Sequence, residues 1–272
     1  MHYVRDGEGP TSVLLHGWPE FWYTWRKNIP ALAESFDVVV PDLRRFGDSD
    51  KPSNVPDVSD YADDLIELLE ALNIDRAGFV GHDLGAFVMQ DLAQRYRGQI
   101  DRLFFFNCPH TGIGTRWLDN GHYKELWHQA FNQMDWSEAL VGHNRDTCRL
   151  YLRHFLDHWS HSPVRFDQDL EAWVYNFMKP GNLEGGFNWY RAVAEYQQKI
   201  IDRGVSNESP IDVPCYVLWG KTDSVLRSEW SDNIQEQFSN AIVEIAEYVG
   251  HFVHYEQPSL ANQRIMSFFS GQ

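Results

Sequence analysis

With 272 residues the chain fits one large domain, or one domain carrying a sizeable insertion, and can bury most of the surface its unfolded form exposes. Its formal charge of −16, from 23 basic and 39 acidic side chains, repels phosphate backbones and anionic lipids and so argues against nucleic acid or a membrane as partner. Three cysteines without motif spacing, no basic-then-apolar leader and no apolar run of spanning length argue against a disulfide frame, a zinc site or a membrane anchor, and predict a soluble, cytoplasmic protein.

Short apolar runs come first. Val13-Leu14-Leu15 leads into a turn at Gly17-Trp18-Pro19, and Val38-Val39-Val40 stops at Pro41. Gly78-Phe79-Val80 stops at Gly81, and Leu103 to Phe106 ends at Asn107-Cys108-Pro109. Each is nearly free of polar alternation and bounded by a breaker, as parallel strands buried on both faces should be. Leu65, Leu68, Leu69 and Leu72 recur at helical spacing between two of these runs, with Ser59 as the expected N-cap. Strand alternating with helix predicts a parallel sheet covered on both sides. From His110 to Pro210 the chain is rich in Trp, His, Tyr and Arg, with helical periodicity and no strand signal. Strands return at Cys215–Trp219 and Ile242–Ile245, so a helical insertion interrupts the core. The abundance of rings, 15% of the chain, predicts an aromatic-walled cavity as well as a packed core.

Gly81-His82-Asp83-Leu84-Gly85 follows a strand and precedes a helix-compatible stretch, Ala86 to Arg95. A Gly-x-nucleophile-x-Gly turn in that setting lifts a reactive side chain above the carboxyl edge of the sheet, and its glycines avoid collisions with the neighbouring helix and strand. Serine is usual at the centre; here it is Asp83. A carboxylate beside a helix N-terminus is favoured in its ionised form, needs no base to activate it, and attacks carbon to give an ester. Alone, the pentapeptide reads equally well as an ordinary turn; the flanking strand and helix favour the elbow.

Together with His16-Gly17-Trp18-Pro19-Glu20, Pro41 to Ser49 and Gly250-His251, this elbow resembles the α/β-hydrolase family over essentially the whole chain. Within that family it resembles the branch of epoxide hydrolases and haloalkane or haloacetate dehalogenases. The resemblance implies an α/β fold with a mostly parallel sheet flanked by helices, the core formed by residues 1–109 and 211–272 and a helical cap by residues 110–210. His2-Tyr3-Val4 resembles the family's second strand, so a strand before it is expected to be absent. The resemblance also implies that His251 is the general base and Asp223 its orienting acid, in the chain order this fold uses. The backbone N–H groups of Trp18 and Leu84 would form the oxyanion hole, with a cis bond expected at Trp18–Pro19. Asn107, where some relatives carry the acid, cannot be an anionic partner and is expected to brace by hydrogen bonds. His254, His16, Asp42 and Arg44 are expected to be structural.

In the insertion, Gly186 to Ala192 resembles the segment that supplies a ring-opening tyrosine in epoxide hydrolases, which makes Tyr190 the expected donor to the leaving oxygen. Leu126 to Phe131 resembles the corresponding segment of epoxide hydrolases with a His/Tyr pair, so His128 is the expected second donor. Haloacetate dehalogenases carry arginines at the positions of Leu84 and Phe87, and haloalkane dehalogenases tend to have Trp at that of Leu84. The expected function is therefore hydrolysis of a small, apolar or aromatic epoxide to a vicinal diol, with no metal or organic cofactor. A dehalogenase acting through the same Asp83 ester stays open, as does a non-catalytic binding protein on this fold. A homodimer is compatible with the sequence, which does not decide oligomeric state.

Overall fold

The apolar runs form one seven-stranded sheet in a computed structural model that describes residues 1–119, 121–203 and 210–271. In chain order the strands are β1 (Tyr3–Asp6), β2 (Thr11–Leu15), β3 (Asp37–Pro41), β4 (Ala77–His82), β5 (Ile100–Phe106), β6 (Cys215–Gly220) and β7 (Ala241–Ala246). They lie in the order β1-β3-β2-β4-β5-β6-β7. All pairs are parallel except β1 with β3, which run antiparallel at the edge. Alternate residues of the strands feed two separate cores. Val13, Leu15, Val39, Phe79, Phe105 and Val217 face one, while Leu14, Val38, Val40, Val80, Phe104 and Leu218 face the other. That double burial is why the strands read as unbroken apolar runs.

Helices α1 (Ile29–Leu32), α2 (Val58–Ala71) and α3 (Leu84–Arg95) belong to the first half of the chain. The N-cap of α2 is Asp57, not Ser59. Its carboxylate accepts from the Asp60 N–H at 3.0 Å, and the Asp60 carboxylate accepts from the Asp57 N–H at 2.9 Å. This reciprocal box satisfies two backbone donors, and Ser59 only supports it by donating to Asp57 Oδ1 at 2.6 Å.

Between β5 and β6 the described elements are helical: a 3₁₀ stretch over Thr111–Leu118, then α4 (Trp127–Asn132), α5 (Ser137–Val141), α6 (Arg145–His158), α7 (Leu170–Phe177) and α8 (Asn182–Arg203). Residues 204–209, at the end of the insertion expected from the sequence, lie outside the described residues. Helices α9 (Val253–Glu256) and α10 (Pro258–Phe269) follow β7. No helix among the described residues is long and apolar enough to cross a membrane.

Candidate active site

Strand β4 delivers Asp83 to the carboxyl edge of the sheet, and α3 begins at the next residue. Asp83 sits at φ 49° and ψ −111°, a conformation L-residues rarely adopt, as a nucleophile elbow requires. A Cβ on Gly85 would stand 2.8 Å from Leu15 Cβ and from Leu15 O, so the helix can start this close to β2 only with glycine there. The Trp18 N–H donates to Asp83 Oδ1 at 3.0 Å. The other amide expected to form the oxyanion hole, that of Leu84, is buried at the first turn of α3 but makes no hydrogen bond to the carboxylate. The Trp18–Pro19 peptide is cis.

Residues far apart in sequence meet behind Asp83. His251 Nδ1–H donates to Asp223 Oδ2 at 2.7 Å. Asp223 Oδ1 is itself held by the N–H groups of Val225, at 2.8 Å, and Leu226, at 2.9 Å. An ionised carboxylate only accepts, so Nδ1 keeps its proton and Nε2 is the nitrogen that titrates. Nε2 lies 3.8 Å from Asp83 Oδ2. Asn107 braces the same loop, donating to the His251 carbonyl at 2.6 Å and accepting from the Gly220 N–H at 2.6 Å. It ties β6 to the histidine loop by neutral hydrogen bonds, as its position suggests. The insertion contributes too, because the His251 N–H donates to the Trp159 carbonyl at 2.8 Å.

Burial alone would lower the His251 pKa, but the carboxylates of Asp223 and Asp83 overcome it and push it up to about 9. An ester on Asp83 would remove one of those charges, lower the pKa and free Nε2 to take a proton from water. The rate of ester hydrolysis is therefore expected to fall as pH drops through an apparent pKa below about 9. Rapid-quench single-turnover measurements across that range check this; a flat profile would remove His251 as the base.

A buried group beneath the histidine has no counterpart in the sequence reading. Glu20 accepts from the N–H of Gly17 at 2.8 Å, the hydroxyl of Thr24 at 2.7 Å, His82 Nδ1 at 2.7 Å and His254 Nε2 at 3.0 Å. Burial would raise its carboxyl, but His82 and His254 hold it well below the usual carboxylate range. The His82 ring packs 4.5 Å from that of His251, so Glu20 adds negative potential under His251. His254 is structural in the sense expected, as one wall of this cluster. An acid directly after Trp18-Pro19 and a histidine directly before Asp83 were the signals available in the sequence; no local pattern says that they pair.

The helical insertion closes over Asp83. The cavity they share holds about 20 Å³ and is walled by Phe87, Pro109, Trp117, His128, Gln129, Trp159, Trp189, Tyr190, Val225 and Leu226. Ligand sites are usually about 300–1,000 Å³, so anything much larger than water must part these rings. Tyr190 and His128 both reach the wall, their rings 5.4 Å apart and edge-on. Burial, together with the negative charge of Asp83, raises Tyr190 well above its ordinary pKa, so its hydroxyl remains a donor. Tyr151, another tyrosine close by, spends its O–H on Asn132 Oδ1.

His128 differs from the expectation in one respect. Its Nδ1 lies 2.9 Å from the Glu125 carbonyl, which can only accept, so Nδ1 carries the proton. Burial lowers its pKa to about 3, and the neutral ring offers Nε2 as a lone pair. His128 sits where the second donor was expected, but as a neutral ring it is an acceptor there. Helix α8 places Tyr190 one turn beyond Gly186, where a Cβ would come within 2.9 Å of Trp18 Nε1. Glycine thus lets the helix lie directly on the Trp18 indole.

The α/β-hydrolase fold family model matches residues 13–258 of this chain. A soluble epoxide hydrolase from Corynebacterium is 33% identical, the match covering 99% of this chain and 93% of that protein. Epoxide hydrolase 1 of Caenorhabditis elegans is 27% identical, over 99% of this chain and 68% of that one. Among solved structures, the epoxide hydrolase CorEH without ligand superposes with a TM-score of 0.84 at 31% identity, covering 99% of this chain and 94% of its own. Fold, elbow and relatives agree: the chain belongs to the α/β-hydrolase fold family and, within it, to the epoxide hydrolases.

Proposed function

We propose that the protein opens a small epoxide to a vicinal diol through an ester on Asp83. The observation that carries the reading is a carboxylate at the elbow, with His251 Nε2 3.8 Å from one oxygen and the Trp18 amide on the other, in a cavity that Tyr190 also lines. An Asp83 oxygen attacks a ring carbon while the C–O bond breaks and the departing oxygen takes the Tyr190 proton. Water then gives a proton to His251 Nε2 and attacks the ester carbon. The negative oxygen formed there meets the Trp18 N–H, and the Leu84 amide completes the hole as the oxygen shifts; such donors are worth about 3–4 kcal/mol each. Collapse expels the diol oxygen, which is protonated by His251, and the Asp83 acid returns its proton to Tyr190. Asp223 orients and balances the imidazolium throughout.

Residues 110–210 act as the cap in this scheme, since their helices supply Tyr190 and the walls over Asp83. The three cysteines are unpaired, as in a reducing cytoplasm. The indoles of Trp117, Trp159 and Trp189 on the cavity wall are the feature that favours a halide instead. A paired turnover assay separates the two. Diol from aliphatic epoxides, with no halide from 1-bromobutane or chloroacetate, is the expected result. Halide without diol would transfer the site to a dehalogenase using the same ester.

A further inference from the structure

We propose that His128 accepts a hydrogen bond from a hydroxyl on the substrate, so that the site is tuned to small epoxides carrying an alcohol next to the ring. The proposal rests on the epoxide hydrolase reading above and adds the substrate class.

The donors and acceptors around the cavity carry the argument. The His128 ring is 2% exposed and lies parallel to the Trp18 indole, 5.7 Å away with 5° between the planes. Its Nδ1–H is committed to the Glu125 carbonyl at 2.9 Å. Nε2 therefore brings a lone pair to the wall it shares with Asp83 and Tyr190. Charging a ring so enclosed is costly, and burial keeps it neutral at working pH. The Tyr190 hydroxyl has one proton, which the reaction needs at the ring oxygen. While Tyr190 donates there, Nε2 needs another donor, which a purely apolar epoxide does not supply.

A hydroxyl on the carbon beside the ring supplies that donor. Gln129, half-buried on the same wall, can donate to its oxygen.

The test compares glycidol with 1,2-epoxybutane, which has a methyl in place of the hydroxyl, and with glycidyl methyl ether, which keeps the oxygen but not the donor. In the wild-type protein kcat/KM for glycidol is expected to exceed that for either analogue by about tenfold or more. In His128→Phe the ratio is expected to fall towards one. A wild-type ratio near one overturns the proposal, and it decides the matter even if the variant does not fold. A variant that loses glycidol and epoxybutane turnover in parallel, with the ratio kept, also overturns it and places His128 on the ring oxygen. Wild-type protein that hydrolyses none of the three but releases halide from 1-bromobutane overturns the epoxide reading itself.

Discussion

Replacing His251 with Gln is expected to stop the reaction halfway and trap the enzyme as its own ester. In the proposed scheme ring opening needs the Asp83 carboxylate and the Tyr190 hydroxyl, neither of which His251 supplies. Hydrolysis needs a base, and Gln has no titratable nitrogen. The side chain is buried and hydrogen-bonded to Asp223, and Gln can keep a donor near that carboxylate, so the fold should survive. Steady-state turnover should fall by about 10⁴-fold or more. Intact-mass spectra after incubation with a good epoxide should show the protein heavier by one substrate. The absence of any adduct, with turnover lost, would mean that His251 acts before the ester forms and would sink the two-step scheme.

Asp83→Ala removes the proposed nucleophile and should abolish both half-reactions. The loss should again be at least about 10⁴-fold in kcat, with no adduct in the mass spectrum. Ala at φ 49° keeps the backbone strain that Asp bears, while the Trp18 N–H loses its acceptor, so a modest fall in Tm of a few degrees is expected. Measurable diol from the pure variant would show that water attacks the epoxide directly and that Asp83 only orients it. The two variants are most informative together: one accumulates ester, the other never makes it.

Asp83 and its glycines could be read from the sequence because an elbow is a local object. Its strand, turn and helix lie within about twenty residues, and each follows from the periodicity and turn chemistry of its neighbours. The same holds for β2, β3, β4, β5 and β6, whose apolar runs record burial on both faces. His251 and Asp223 came from motif and chain order, and the tertiary structure brings them within 2.7 Å of each other. Other features depend on packing between distant segments. Glu20 meets His82 and His254 only because β2, β4 and α9 converge beneath the elbow, which no spacing encodes. The N-cap of α2 passed from Ser59 to Asp57 because reciprocal side-chain bonds, and not residue type alone, decide where the helix starts.

The amino-acid sequence by itself thus determined the fold class, and it placed Asp83 at the elbow, Asp223 and His251 after it in chain order, and Tyr190 and His128 on segments of the insertion. Those are properties of composition along the chain. What only the tertiary structure decided is the state of the groups once assembled. A carbonyl at 2.9 Å sets the tautomer of His128, two carboxylates raise His251 against its burial, and packed rings leave about 20 Å³ over Asp83. The physical reason is the same in each case. Protonation and free volume depend on neighbours in space, and those neighbours come from parts of the chain that the sequence lists far apart.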